Sequence, residues 1–277
     1  MPRIAELTAS KVQQLCHAKP VDRISVATMQ SAKLKTLVFI PTYNEHGNVA
    51  NICEQILALE TGADVLFLDD NSPDGTGDVL DQLAGKHPKV FVIHRSGKLG
   101  IGSAHLDGIN WAYDREYERL ITMDCDFTHS PADIVKMTEM ASNYDVVVGS
   151  RFLEKDSLPG WSMLRRLLTF LGHMLTICLL RMPFDASGAF RVYDLKRIPR
   201  RLFALNLPRG YAFFFESLFV LVQNEFSIHQ VPITLPARTK GTSKMSLREM
   251  WRGVSRLFMV FCLSVLQPSR FKLPPSK

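Results

Sequence analysis

Two carboxylates stand one residue apart at the end of an apolar run, in the segment LITMDCDFTHS at residues 120–130. In an extended strand Asp124 and Asp126 would point to the same side, about 7 Å apart at roughly 3.3 Å per residue. Two carboxylates held together repel, which drives one toward its neutral form unless a divalent cation lies between them. A solvated strand end and an N-cap for a following helix are the simpler interpretations, and both stay open at this point.

Two more acidic segments, FIPTYNEHGNVANI and LDDNSPDGTGD, contain Glu45 and the neighbours Asp69 and Asp70. A carboxylate just after a strand can accept hydrogen bonds from ribose hydroxyls, as in dinucleotide-binding folds. The alternative for Glu45 is turn chemistry with Asn48 as a helix cap. A turn over residues 72–75 is clearly predicted, but it does not explain paired acids at the tip of a buried strand. The chain lacks the glycine fingerprints of classical dinucleotide folds and P-loops.

Apolar runs rich in Val, Ile, Leu and Phe alternate with helical segments in the first half of the chain. The predicted strands are LKTLVFIP, ADVLFLDD, KVFVIHR, ERLITMDCD and YDVVVGSR. This pattern predicts a parallel sheet covered by helices on both faces. Ligands bind at the carboxyl ends of such strands, where PTYNE, DDNSPDGT, MDCDFTH and GSRF all fall. The glycines of HRSGKLGIGSAH suit either a permissive loop or close backbone approach to a ligand.

Two short apolar segments, at residues 167–180 and 257–266, mark the second half of the chain. The first, at about 14 residues, is shorter than the about 20 that a membrane span needs. Arginine and tryptophan at the ends of short apolar helices are typical of a membrane interface. The alternative is a pair of core helices in an ordinary domain.

The composition limits the class of protein without selecting a partner. The chain has 277 residues and a formal charge of +6, which suits nucleotides, phosphates or an anionic membrane face. Aromatic residues show no spacing that would form a nucleic-acid stacking surface, so no nucleic acid is expected. The five cysteines form no CxxC pair, which argues against structural zinc and a disulfide framework and favours reduced thiols. Cys125 is predicted to be core, and residues 1–35 a tail without a signal peptide.

The ordered motifs PTYNE, DDNSPDGT, KLGIGSA and DCD resemble those of inverting family 2 glycosyltransferases with the GT-A fold. The later segments GSRF, GWSMLRR, FDASGAFRVYD, GYAFFFESL and VPITLPARTKGTSKMS resemble the dolichol-phosphate mannosyltransferase branch, which glycosylates polyprenyl phosphates. The resemblance covers about residues 35–261. It implies an α/β fold with a Rossmann-like, mostly parallel sheet, helices on both faces and C-terminal interfacial helices. The expected domains are a tail (1–35), a GT-A domain (36–245, with an interfacial helix near 161–182) and a membrane-interface helix and tail (246–277).

The resemblance assigns roles to individual residues. Asp124 and Asp126 would hold Mg²⁺ or Mn²⁺ on the nucleotide diphosphate, and Asp126 would be catalytic. Arg151 and Arg165 would also be catalytic, by holding the phosphate of the lipid acceptor. The nucleotide sugar would be bound by Pro41, Tyr43, Glu45, Asp70, Lys98, Asp124, Arg238 and Lys244.

Two positions depart from the family pattern. Thr128 stands where the family often has a glutamine ligand, which leaves the coordination of the cation open. GYAFFFE replaces GYxFQxE, so Phe214 or Phe215 takes the place of an amide near Glu216.

The reaction implied is transfer of a hexose to a polyprenyl or dolichyl monophosphate with inversion, with mannose from GDP-mannose as the first choice. The acceptor phosphate has a second pKa near 6 and is largely dianionic at neutral pH, so it needs no general base. The expected partners are the nucleotide sugar, the polyprenyl phosphate and the cytoplasmic face of a membrane, where the protein would be peripheral, with or without an anchoring subunit. A family 2 transferase with a soluble or glycan acceptor, or a non-catalytic subunit that binds nucleotide sugars, are the alternatives.

Overall fold

The computed structural model describes residues 34–205, 210–237 and 247–274, with side chains in the last range described from residue 251 onward. The tail expected at residues 1–35 therefore lies, apart from its last two residues, outside the described part of the chain. Its predicted character stays a prediction.

One sheet carries the described part of the chain, with the strand order β3-β2-β1-β4-β6-β5-β7. The strands are β1 Thr36–Thr42, β2 Asp64–Asp69, β3 Val90–His94, β4 Arg119–Thr122, β5 Val146–Ser150, β6 Arg191–Asp194 and β7 Ile228–Pro232. β6 runs antiparallel to both of its neighbours, and every other pairing is parallel. The mostly parallel sheet predicted above is confirmed.

Helices cover both faces of this sheet, as predicted. The helices are α1 Val49–Ala58, α2 Thr76–Lys86, α3 Ile101–Asp114, α4 Asp133–Met140, α5 Met163–Leu180, α6 Ala212–Gln223 and α7 Leu247–Leu266. Helices α1, α2 and α4 pack in one apolar cluster, whereas α3, α6, α7 and the end of α5 pack in the other. Alternate residues of β1, Leu37 and Phe39 against Val38 and Ile40, divide between the two clusters, because successive side chains of a strand point to opposite faces.

Strand β4 is shorter than predicted, and this changes the geometry of the acidic pair. It ends at Thr122, and residues 125–129 form a series of bends with Phe127 in the left-handed region at φ 57°. The extended arrangement predicted for Asp124 and Asp126 is therefore wrong. Cys125 is buried, as predicted.

Helix α3 packs closely on β1 because Gly108 has no side chain. A Cβ atom built at Gly108 would lie 2.4 Å from the ring of the fully buried Phe39. We expect Gly108→Ala to lower the free energy of unfolding by about 1–2 kcal/mol, since the cost of overpacking exceeds the gain in helix propensity. Gly85→Ala in α2 is the matched control, since a Cβ there meets nothing within 4 Å. Urea unfolding of both variants measures the difference, and equal stabilities would contradict the packing argument.

Candidate active site

The carboxyl ends of the parallel strands bring the predicted polar segments to one edge of the sheet. Thr42 pairs with Asp69, and Asp69 with His94, so β1, β2 and β3 end at the same level. The pairing of β1 with β4 ends earlier, at Phe39 and Thr122. Proline has no N–H to donate, and at Pro41 the neighbouring strand β4 has already ended. No hydrogen bond between strands is therefore lost, which explains a proline in a central strand.

The acidic loop after β4 is held by its own hydrogen bonds. Asp126 is buried, and its Oδ1 accepts hydrogen bonds from the Thr128 amide at 3.1 Å and hydroxyl at 2.6 Å. Phe127 adopts φ 57°, a conformation that is rare for a bulky residue. Thr128 stands where the family often has a metal-binding glutamine. Here its amide and hydroxyl fix the Asp126 carboxylate within the loop.

The buried His129 closes the same loop through the backbone of Asp124. Its Nδ1 lies 3.0 Å from the Asp124 amide, which donates to it, so the ring proton is placed on Nε2. Burial lowers the pKa of His129 to about 4. The negative charge of Asp126 opposes that lowering, and the positive charge of Arg151 adds to it. The 3.8 Å approach of Nδ1 to the Asp124 carboxylate is therefore a contact of a neutral ring and not an ion pair.

The loop after β1 places Tyr43 and Glu45 at this edge. Lys98, from the glycine-rich segment after β3, lies 4.0 Å above the Tyr43 ring centroid in a cation–π contact. Glu45 Oε2 accepts a 2.7 Å hydrogen bond from the Asn48 side chain. Asn48 is the N-cap residue of α1, as the alternative interpretation has it, but its side chain makes no cap hydrogen bond.

The two aspartates after β2 have different surroundings. Asp69 accepts hydrogen bonds from the Ser72 amide and hydroxyl, which lie where the turn predicted over residues 72–75 begins. Asp70 is buried and forms a 2.7 Å ion pair with Arg95, which sequence reasoning missed. Burial raises the pKa of Asp70, and Arg95 offsets part of that rise. The position of Arg95, directly after β3, is the signal that could have identified it.

Arg151 follows β5 and is held by a carboxylate that sequence reasoning did not single out. The Asp185 carboxylate accepts hydrogen bonds from Arg151 Nε at 2.7 Å, Nη2 at 3.0 Å and the backbone amide at 3.2 Å. The Asp185 side chain is 1% exposed and that of Arg151 is 9% exposed. Burial raises the pKa of Asp185, but the contacts from Arg151 outweigh burial and hold the pKa below its ordinary value. Ser187 also accepts from Arg151 Nη2, at 3.1 Å.

Arg165 lies in the first turn of α5, which begins at a Ser162 N-cap. The Ser162 hydroxyl accepts from the Arg165 amide at 3.3 Å. The Arg165 guanidinium stacks 3.6 Å from the ring centroid of the buried Trp161. Ser162 therefore fixes the backbone of this exposed arginine, and Trp161 fixes the plane of its guanidinium.

Helix α5 turns its apolar residues outward. Met163 is 79% exposed, Leu164 67% and Phe170 54%, and the buried residues of the helix are Thr176 and Leu180. With 18 residues, it is longer than the predicted apolar run, and among the described residues it alone has the length and composition to cross a membrane. Length and composition do not distinguish a spanning helix from one that lies in the membrane surface.

Helix α7 packs against α5 and also exposes large apolar side chains. Trp251 is 72% exposed, and Phe258, Met259, Val265 and Leu266 are exposed as well. The interpretation of both apolar segments as ordinary core helices is wrong for these outward faces.

Glu216 and Phe214, which lie in the segment that departs from the family pattern, are packed inside the fold. The Glu216 carboxylate accepts two hydrogen bonds from Arg256 of α7, at 2.7 and 2.8 Å. Phe214 packs edge-on against the buried ring of His105, with centroids 5.0 Å apart. Both side chains thus hold α6 to its neighbours.

Arg238 and Lys244, expected to bind the nucleotide sugar, lie outside the described residues. Of the other predicted residues, all but Arg165 lie at or just after the carboxyl ends of strands, whereas Arg165 lies in the first turn of α5.

Comparisons with known proteins place this site in context. The family model "Glycosyl transferase family 2" matches residues 37–198. The chain is 33% identical over 215 residues to the polyprenol monophosphomannose synthase of Mycolicibacterium smegmatis, covering 76% of this chain and 81% of that protein. It is 32% identical over 214 residues to the undecaprenyl-phosphate mannosyltransferase of Micrococcus luteus, covering 77% and 88%.

Among solved structures, the mannosyltransferase PcManGT of Pyrobaculum calidifontis in complex with GDP-Man and Mn²⁺ superposes with a TM-score of 0.55 at 14% identity. The match covers 93% of this chain and 70% of that one. At this identity the likeness concerns the fold alone.

Proposed function

The chain belongs to glycosyl transferase family 2, and from that premise we propose that it transfers mannose from a nucleotide sugar to a polyprenyl monophosphate at a membrane surface. One observation carries this proposal. The acidic loop with Asp124 and Asp126 lies at the same edge of the sheet as Arg151, whose guanidinium is held by Asp185. Next to them lies α5, a helix whose exposed face is apolar. The names of the two relatives, at 33% and 32% identity, support the same acceptor class and sugar.

The donor set at the acidic loop fits a divalent cation. Carboxylate oxygens suit Mg²⁺ and Mn²⁺, and Asp124 and Asp126 supply them. In the described part of the chain no group of three or more His, Cys, Asp or Glu side chains could hold a metal ion. The remaining ligands would then come from the donor diphosphate and water, and a cation so bound would neutralise the charge of the leaving diphosphate.

The residues around the loop after β1 suit the nucleoside part of the donor. Glu45 and Asp70 offer carboxylates to hydroxyl and ring N–H groups, and Tyr43 offers an aromatic face. We propose GDP-mannose as the donor, with Lys98 near the diphosphate. We extend the role of binding the donor to Arg238 and Lys244, which lie outside the described residues.

The two arginines would offset the repulsion between the negatively charged acceptor and donor. A dianionic acceptor phosphate must approach an anionic donor, and Arg151 and Arg165 would bind and orient the acceptor. A phosphate oxygen then attacks the anomeric carbon as the bond from that carbon to the diphosphate breaks, which inverts the configuration. The proposal assigns no general base, because the attacking oxygen is already deprotonated.

The outward faces of α5 and α7 would lie in the membrane surface and receive the isoprenoid chain. Aliphatic and aromatic side chains that are exposed in water gain free energy when they enter the acyl boundary. We propose that the enzyme is peripheral on the cytoplasmic face, with or without an anchoring subunit.

A donor screen tests the proposed function. The purified full chain is given labelled GDP-mannose or UDP-glucose, with polyprenyl phosphate in detergent, with and without Mn²⁺. We expect label in the organic phase only with GDP-mannose, polyprenyl phosphate and Mn²⁺ together, and loss of transfer on chelation.

The alternatives give different results in this assay. Soluble glycans are added in parallel reactions in place of polyprenyl phosphate, and label transferred to them in the aqueous phase would indicate a family 2 enzyme with another acceptor. A chain that binds GDP-mannose without transferring or hydrolysing it with any acceptor would be a non-catalytic subunit. Either result would overturn the proposal.

A further inference from the structure

The first half of α5 has few buried residues to hold it in place. From Met163 to Gly172 every residue is exposed except Arg166 and Thr169, which are half-buried. Arg166 Nη2 donates a 2.8 Å hydrogen bond to the Leu158 carbonyl, which ties the start of the helix to the preceding loop. Arg165 lies in this half, so its position depends on these local contacts and on where the rest of the helix is anchored.

The next residue on the inward side of α5, His173, stacks on the residue that follows Arg151. The rings of His173 and Phe152 are nearly parallel, at an interplanar angle of 4° and a centroid distance of 3.8 Å. Phe152 lies beside Arg151 in the chain, and the Arg151 guanidinium is 5.7 Å from its ring centroid. The stack thus joins the helix that carries Arg165 to the strand end that carries Arg151.

The surroundings of His173 favour a neutral ring that packs over one that binds an anion. Its Nδ1 is buried without a hydrogen-bond partner among the described residues. Burial lowers the pKa of His173, Asp185 raises it and Arg151 lowers it further. A neutral imidazole stacks on an aromatic ring without the desolvation cost of a charged one.

From this geometry we propose that His173 is a positioning residue for the acceptor. By stacking on Phe152, it fixes the distance between Arg151 and Arg165, so that both guanidinium groups can hold one phosphate. The inference rests on the proposed function, since it assumes a phosphorylated acceptor between the two arginines. A small displacement of either arginine lowers kcat/KM, because two charge-assisted hydrogen bonds to the phosphate must form at the same time.

The test compares His173→Ala with His173→Phe, which keeps the stacked ring and removes both nitrogens. We expect His173→Ala to raise the KM for polyprenyl phosphate about tenfold and leave the KM for the nucleotide sugar within about twofold, as loss of one aromatic pair predicts. His173→Phe should restore the acceptor KM to within about twofold of wild type. His229→Ala is the matched control, since it removes a comparable stack of a histidine on Tyr144, with centroids 4.5 Å apart, from β7.

If His173 had only a structural role, its substitution would change the stability of the protein and the KM values of both substrates. General destabilisation would lower the midpoint of thermal unfolding and affect both substrates equally, so unfolding midpoints and binding of GDP are measured for each variant. If His173→Ala fails to fold, Phe152→Leu removes the same stack from the other side and should show the same selective rise in acceptor KM.

Three outcomes would overturn the inference: an unchanged acceptor KM in His173→Ala, an equal rise for both substrates, or a His173→Phe variant as impaired as the alanine variant. These results are distinct from failure of the proposed function. That failure would appear in the wild-type enzyme as absence of any labelled polyprenyl product.

Discussion

Asp126→Asn is expected to lower transfer to polyprenyl phosphate by at least about 100-fold, which is the usual loss when one charge-stabilising group is removed from an active site. The expected cause is loss of one of two negative charges that would hold a cation on the donor diphosphate. Asparagine keeps an Oδ1 atom, which can still accept the hydrogen bonds from the Thr128 amide and hydroxyl. The loop should therefore keep its conformation, and the free energy of unfolding should change little.

Activity and metal binding are measured together to separate the charge from the fold. Manganese binding in the presence of GDP, followed by electron paramagnetic resonance, should weaken in parallel with activity. Asp133→Asn is the matched control, since Asp133 lies seven residues along the chain at the start of α4 and pairs with Lys136. An Asp126→Asn enzyme with full activity, or with unaltered manganese affinity, would refute the proposed role of this carboxylate.

The positions of the predicted site residues could be inferred largely because parallel strands share one end. Runs such as LVFI and VLFL identify buried strands, and the polar segment after each must lie at the common carboxyl edge. This rule placed Tyr43, Asp70 and Arg151 at one edge without knowledge of their partners. It needed only the order of strands and helices, which the apolar periodicity supplies.

The local shape of the acidic loop could not be inferred in the same way. Nothing in ITMDCD signals that the strand ends at Thr122, and Phe127 is an improbable residue for a left-handed conformation. The bend depends on the bonds between Asp126 and Thr128 and on burial of His129. Such short-range polar contacts compete with strand pairing and leave no periodic pattern in the sequence.

Asp185 could not be predicted as the partner of Arg151, because the prediction did not include the order of the strands in this part of the sheet. Asp185 is 34 residues further along the chain and precedes β6, the antiparallel strand inserted between β4 and β5. A parallel sheet predicted from alternating strands and helices has no place for such an insertion, so Asp185 could not be assigned to this edge. For α5, the apolar composition left open whether the helix is buried in protein or lipid. The exposed fractions of its side chains show that the described part of the chain does not cover its outer face.

Asp185→Asn is expected to lower kcat/KM for polyprenyl phosphate about 100-fold, because Arg151 loses the fixed partner that orients its guanidinium. An asparagine amide can accept one hydrogen bond from arginine, but its NH₂ group faces a second donor, so the two-point contact is lost. Nucleotide binding, measured with GDP, should be unchanged. Asp114→Asn is the matched control, since Asp114 pairs with Arg200 in an exposed ion pair that should contribute little.

Double variants decide whether Asp185 acts through Arg151 alone. Arg151→Ala leaves a carboxylate that is 1% exposed without its cation, and loss of one partner of a buried pair costs about 3–5 kcal/mol of stability. Adding Asp185→Asn to Arg151→Ala removes that buried charge, so the double variant should be more stable than Arg151→Ala and no less active. If Asp185→Asn lowers activity by a further factor in the absence of Arg151, then Asp185 has a role of its own in the reaction. Burial and pairing of these two groups would then describe only part of what Asp185 does, and its carboxylate would have to be tested directly against the acceptor phosphate.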